Sequence, residues 1–310
     1  MVSQGIPPTI LLALACALTS CAADKQDGAE AKKTKAIFGN YDNMEQASIK
    51  DRVQQIIASG GFHNSLELIS RDELALWRAQ ADQNLPEAQL LLAYYCIAEM
   101  KYADANKWFL KAAEQGLKEA QHMVAYNNYT DKKYADSMKW YLKAAEQGYA
   151  PSIVNIGQLY ASGYGVEKNS KTAMQWYLRA AALNDAKAMA NIGACYRDGE
   201  GVGKDLGESY RWYLKSAELG YADAQIALGS CYERGEGVAE NSKEAFKWYQ
   251  KAADQDEAFA QFLIGNCYEN GIGTAKSQAD AIWWYRKAAA GGCDDAKKRL
   301  NELNISLIAS

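Results

Sequence analysis

The chain has 310 residues, with 34 Lys and Arg against 38 Asp and Glu, so its formal charge is −4. The lysines are spread beside acidic residues and no basic cluster or basic–aromatic stripe occurs, which excludes the electrostatic footprint of a nucleic-acid binder. Only two histidines, His63 and His122, are present, so a zinc site built on several histidines is excluded; the spacing of the seven cysteines does not suit one either.

Ile10 to Leu18 is an apolar run of signal-peptide length, too short to span a bilayer. It leads into Leu18-Thr19-Ser20-Cys21, which resembles the bacterial lipobox, whose cysteine becomes the acylated N-terminus after cleavage. That resemblance implies a signal peptide over 1–21, lipidation of Cys21, and a mature protein anchored to the outer membrane of a Gram-negative cell, facing the periplasm. Ala22 is not the Asp that retains such lipoproteins at the inner membrane. Met1 to Thr9 departs from the pattern in having no Lys or Arg, and the alternative is an apolar helix with an incidental cysteine. From Ala22 to about Lys35 the sequence is small and charged without apolar period, and residues 22–41 read as a flexible tether.

Residues 42–87 read as capping helices. Ser70-Arg71-Asp72-Glu73 is a capping box opening a helix through Trp77 to near Gln83. Two short units follow over 88–148. Trp108-Phe109-Leu110-Lys111-Ala112-Ala113 and Trp140-Tyr141-Leu142-Lys143-Ala144-Ala145 repeat at a step of 32, each preceded by a tight turn, Lys101-Tyr102-Ala103-Asp104 or Lys133-Tyr134-Ala135-Asp136.

Over 149–292 the step lengthens to 36, carried by Trp176-Tyr177, Trp212-Tyr213, Trp248-Tyr249 and Trp284-Tyr285. The added residues hold a Gly-x-Gly loop, such as Gly235-Glu236-Gly237, and a cap residue, Asn169, Asp205, Asn241 or Ser277. A fixed period of this size means stacked supersecondary units. In the unit from Tyr221 to Asp256, the first helix offers Ala224, Ala227, Leu228, Cys231 and Tyr232 as a buried stripe, and the second offers Ala245, Trp248, Tyr249 and Ala252. Gly229 recurs as Gly157, Gly193 and Gly265, which predicts a place where a neighbour comes too close for a Cβ. Asn241 with Glu244 predicts a capping box. Cys195, Cys231 and Cys267 share one position, and helices about 8–10 Å apart are too distant for disulfides, so they read as buried thiols. Asp294 to Asn304 is a polar helix suited to closing the stack, within a C-terminal cap over 293–310.

Leu-Gly-x-x-Tyr-x-x-Gly-x-Gly-Val followed by x-Ala-x-x-Trp-Tyr-x-Lys-Ala-Ala resembles the Sel-one-like repeat, a relative of the tetratricopeptide repeat. The resemblance implies an all-α fold, a right-handed α-solenoid of stacked helix pairs, acting as a protein-binding scaffold without cofactor or metal. Carried onto this sequence, the lining of the concave groove is Tyr94, His122, Tyr126, Tyr129, Gln158, Arg197, Glu233, Phe262, Asn266 and Glu269. Tyr94, Tyr126 and Tyr129 are candidate anchors, or else fill space left by the short turns. No Gly-x-Ser-x-Gly, Ser-x-x-Lys or Lys-Thr-Gly is present, so hydrolase or β-lactam chemistry has no visible residues. The expected protein is a non-enzymatic monomer that touches the membrane through its lipid only and holds a protein partner. That partner is an envelope protein, or a toxin that the chain neutralises as an immunity protein.

Overall fold

The computed structural model describes residues 71–305, so the readings on residues 1–70, Cys21 among them, lie outside the described residues. These residues form an all-α repeat solenoid of helices joined by short connections. In order they are α1 (Arg71–Asp82), α2 (Pro86–Ala98), α3 (Tyr102–Glu114), α4 (Lys118–Thr130), α5 (Tyr134–Glu146), α6 (Ala150–Ser162), α7 (Ser170–Ala181), α8 (Ala186–Asp198), α9 (Leu206–Glu218), α10 (Ala222–Arg234), α11 (Ser242–Ala253), α12 (Ala258–Asn270), α13 (Gln278–Ala290) and α14 (Asp294–Glu302). They group into two compact units, divided between Asn169 and Ser170, and within each unit every helix packs on its neighbours in sequence.

In the first unit Trp77 of α1 is 1% exposed and joins Leu90, Leu91 and Phe109 in one core. The α2–α3 and α4–α5 turns each hold a left-handed residue that is not glycine, Met100 (φ 58°) and Lys132 (φ 61°).

In the second unit each seven-residue connection runs from a glycine in the left-handed region to a capped second helix. Asn241 Oδ1 accepts from the Glu244 amide at 3.1 Å, Asp205 Oδ1 from Glu208 at 2.9 Å and Ser277 Oγ from Asp280 at 3.3 Å. The reciprocal half of the capping box is not made. The Asn241 amide donates to the Tyr232 carbonyl at 2.8 Å, while Glu244 takes Lys247 at 2.6 Å. The cap residue is thus tied back to the first helix, which fixes the loop. Gly237 (φ 75°) meets the Leu206 carbonyl so closely that a Cβ has no room, so the loop of one repeat leans on the start of the preceding second helix.

The Trp-Tyr pair divides differently from the expected stripe. Tyr213, Tyr249 and Tyr285 are buried, whereas Trp212 and Trp248 are half-buried, with Lys215 Nζ 4.3 Å and Lys251 Nζ 3.6 Å from their ring centres. Adjacent residues on a helix point about 100° apart, so only one of the pair faces the first helix. The glycine explains which: a Cβ on Gly229 would sit 2.5 Å from the Tyr249 ring, and one on Gly265 2.5 Å from the Tyr285 ring. Cys195, Cys231 and Cys267 are buried free thiols.

A column of glutamines joins successive repeats and was not singled out from the sequence. Gln225 Nε2 donates to the Ala217 carbonyl at 3.2 Å and Gln261 Nε2 to Ala253 at 3.4 Å; Gln121 does the same to Ala113 at 3.2 Å in the first unit. Each adds a second donor to a carbonyl in the last turn of the preceding second helix, which also accepts a backbone amide three residues on.

Candidate binding face of the first helices

Within a repeat the interior hardly changes while the outward edge of the first helix does. In the second unit the interior keeps Gly193, Gly229 and Gly265 against Tyr213, Tyr249 and Tyr285. The outward positions run Ala194, Arg197 and Asp198 on α8, Ser230, Glu233 and Arg234 on α10, then Asn266, Glu269 and Asn270 on α12.

The buried tyrosines reach this edge with their hydroxyls. Tyr249 donates to Glu233 at 2.7 Å; Tyr285 donates to Glu269 at 2.6 Å, with Asn266 Oδ1 2.7 Å from the same hydroxyl. In the first unit Tyr141 accepts from Asn155 at 2.9 Å. Arg299 Nε lies 3.0 Å from Glu269, and this guanidinium, with help from Tyr285, holds the carboxyl below the ordinary range for glutamate. Arg197 takes both Asp198 oxygens through Nε and Nη2 at 2.8 Å, which lowers the Asp198 pKa. Phe262 packs 5.7 Å from the Tyr285 ring. Gln158 is half-exposed.

Two of the ten groove positions are not on an open surface. Tyr94 is buried edge-on against Phe109 at 5.3 Å, and His122 is buried between Tyr141 and Tyr149. His122 Nδ1 sits 2.9 Å from Ser152 Oγ, but Ser152 is fully buried, so the pair is an interior hydrogen bond closed to substrate. The expected aromatic group therefore breaks up. Tyr126 and Tyr129 are half-exposed, and Tyr129 joins Tyr134 at 5.5 Å and Tyr164 at 6.2 Å, the latter two stacked at 4.8 Å. Tyr164 comes from the first Gly-x-Gly loop and is 41% exposed. Only the fold of that loop brings it to Tyr129.

Burial pushes the Cys195 and Cys231 thiols up to about 11 and the Cys267 thiol to about 12, so they stay protonated and weakly nucleophilic at neutral pH. Among the described residues no three His, Cys, Asp or Glu side chains gather to hold a metal, and no helix is long and apolar enough to cross a membrane.

The Sel1 repeat model matches residues 101–117, 118–149, 150–185, 186–221, 222–257 and 258–293, most of the chain. The chain belongs to the Sel1 repeat family. No curated protein matches. Among solved structures, a Sel1 repeat protein from Oxalobacter formigenes is 30% identical, with a TM-score of 0.62 over 78% of this chain and 97% of its own. A protective antigen of uropathogenic Escherichia coli with the same repeat fold is 33% identical, with a TM-score of 0.56 over 74% of this chain; the chain spans 51% of that antigen. Sel1 repeats are protein-interaction scaffolds and in general non-enzymatic.

Proposed function

We propose that the protein is a non-enzymatic scaffold that binds one protein partner along the outward edge of its first helices, held at the bacterial envelope by a lipid on Cys21. The observation that carries the binding reading is the contrast within each repeat: a constant glycine–tyrosine interior supports outward positions that change from Asp198 to Arg234 to Asn270. A fixed frame with a changing face gives specificity without altering the fold. The lipobox-like Leu18 to Cys21 supports the anchor and the periplasmic side of the outer membrane.

The test is capture of a partner from envelope extract by residues 71–310, with variants on two faces. Tyr126→Ala with Tyr129→Ala is expected to weaken capture roughly thirtyfold, the effect of about 2 kcal/mol at an interface anchor. Lys171→Ala and Lys243→Ala, on exposed second-helix surface, are expected to leave it unchanged. The reverse pattern would move binding to the second helices. A captured toxin whose action the chain blocks would specify the scaffold as an immunity protein. Cys21→Ala is expected to abolish acyl labelling and membrane partition, and a wild type without acyl label would remove the anchor.

A further inference from the structure

Glu233 and Glu269 define what the edge does with a buried tyrosine: each accepts the hydroxyl of the tyrosine sixteen residues later. At Glu269 the Arg299 guanidinium completes the group, so a tyrosine, a carboxylate and a guanidinium meet at one point. Sixteen residues before Tyr213 the chain has Arg197 instead, which offers no acceptor. Here the tyrosine and a guanidinium are present and the carboxylate at that position is missing, while the neighbouring Asp198 pairs with Arg197.

The vacancy is a real space. Between α8, α9 and α10 lies a cleft of about 340 Å³ lined by Tyr213, Arg197, Lys204 and Arg234, with Asp198 and Glu236. Three cations face two carboxylates there. Lys204 and Arg234 make no ion pair among the described residues. Asp198 occupies Nε and Nη2 of Arg197 and leaves Nη1 for another acceptor. That pair is about half exposed on both sides, so re-pairing Arg197 costs little.

We propose that this cleft receives an Asp or Glu side chain of the protein partner, whose carboxylate takes the place that Glu233 and Glu269 fill in the next two repeats. The assignment rests on the scaffold reading and gives its partner a chemistry. An acidic segment entering here accepts from Tyr213, pairs with Arg197 and Arg234, and meets Lys204 at the rim.

The experiment titrates the full chain with acetyl-tetraglutamate amide, and separately with the tetraglutamine peptide, by calorimetry and by NMR of the arginine Nε resonances. The glutamate peptide is expected to bind and to shift Arg197 and Arg234, the glutamine peptide to do neither. The net charge of −4 works against a merely diffuse attraction. Arg197→Glu installs the carboxylate of the neighbouring repeats, so the fold has a built-in precedent for it; affinity for the glutamate peptide is expected to fall at least tenfold. Arg234→Ala is expected to weaken it severalfold. Equal binding of both peptides, absence of binding, or an Arg197→Glu protein that binds like the wild type would overturn the assignment. Capture of a partner by the wild type from envelope extract is read separately: its loss would fall on the scaffold reading, and its persistence beside a failed peptide titration on the cleft alone.

Discussion

The two short repeats turn from first to second helix in three residues, 99–101 and 131–133, while the repeats of the second unit take seven, 199–205, 235–241 and 271–277. The helix pairs themselves are alike: Phe109 and Tyr141 are buried in the short repeats as Tyr249 and Tyr285 are in the long ones. What the extra residues add is outside the pair. They place glycine where the short turns hold Met100 or Lys132 in the left-handed region, and they carry the loop back onto the previous second helix through Gly237 and Leu206. Helix packing within a pair is therefore common to both kinds of repeat, and the long loop adds its own grip on the preceding repeat to that of the glutamines.

The sharpest test of that division lies in the Trp-Tyr pair. Tyr249→Ala is expected to cost about 3–5 kcal/mol in urea unfolding, because it empties the space against Gly229. Trp248→Ala should cost well under half as much, its ring being half-buried under Lys251. Equal losses would mean that the pair packs as one unit and that the glycine does not select the tyrosine.

Next in size is the loop. Gly237→Ala strains a positive φ and drives a methyl into the Leu206 carbonyl, for an expected loss of about 1–2 kcal/mol or more. Lys132→Gly relieves the same backbone region in a short turn and is expected to gain up to about 1 kcal/mol. If both substitutions leave the melting temperature untouched, loop length alone distinguishes the two kinds of repeat.

The smallest effect concerns the thiols. At pH 8 iodoacetamide is expected to label half-buried Cys293 and spare Cys231 until the fold opens, read by peptide mass spectrometry. The folded pKa of Cys231 is raised from 9.0 to about 11. Its contribution to stability is thus full below pH 9 and lost as pH climbs from there through about 11. Labelling of Cys231 as fast as Cys293 would contradict its burial.

The period, the helices and the caps were legible because each is local: a step of 36, a glycine stop and an Asn, Asp or Ser cap all lie in one stretch of chain. The choice between Trp248 and Tyr249 was half legible. Gly229 marked a close approach, but its partner is a ring twenty residues away on another helix. The binding edge was less legible, since outward and inward positions of a first helix differ by one step of the turn. Tyr94 and His122 share its register yet face the core, and the meeting of Tyr129 with Tyr164 depends on a loop path no periodicity encodes. Arg197 was visible as an edge residue; its cleft with Arg234 and Lys204 required the structure.

The glutamine column has a consequence for how such a chain changes length. Gln261 asks of its neighbour only a carbonyl like that of Ala253, and the Ala217 carbonyl, which Gln225 uses, is its equivalent one repeat earlier. The Gly273 loop likewise leans on Ser242 as the Gly237 loop leans on Leu206. Excising residues 222–257 brings Gln261 to Ala217 and Gly273 to Leu206, so these two contacts are replaced by their counterparts, while Lys287 exchanges Asp256 for Gly220. Gain or loss of a whole 36-residue block therefore keeps the glutamine and glycine contacts of the boundary in register. The fold gives such a gene a unit of growth.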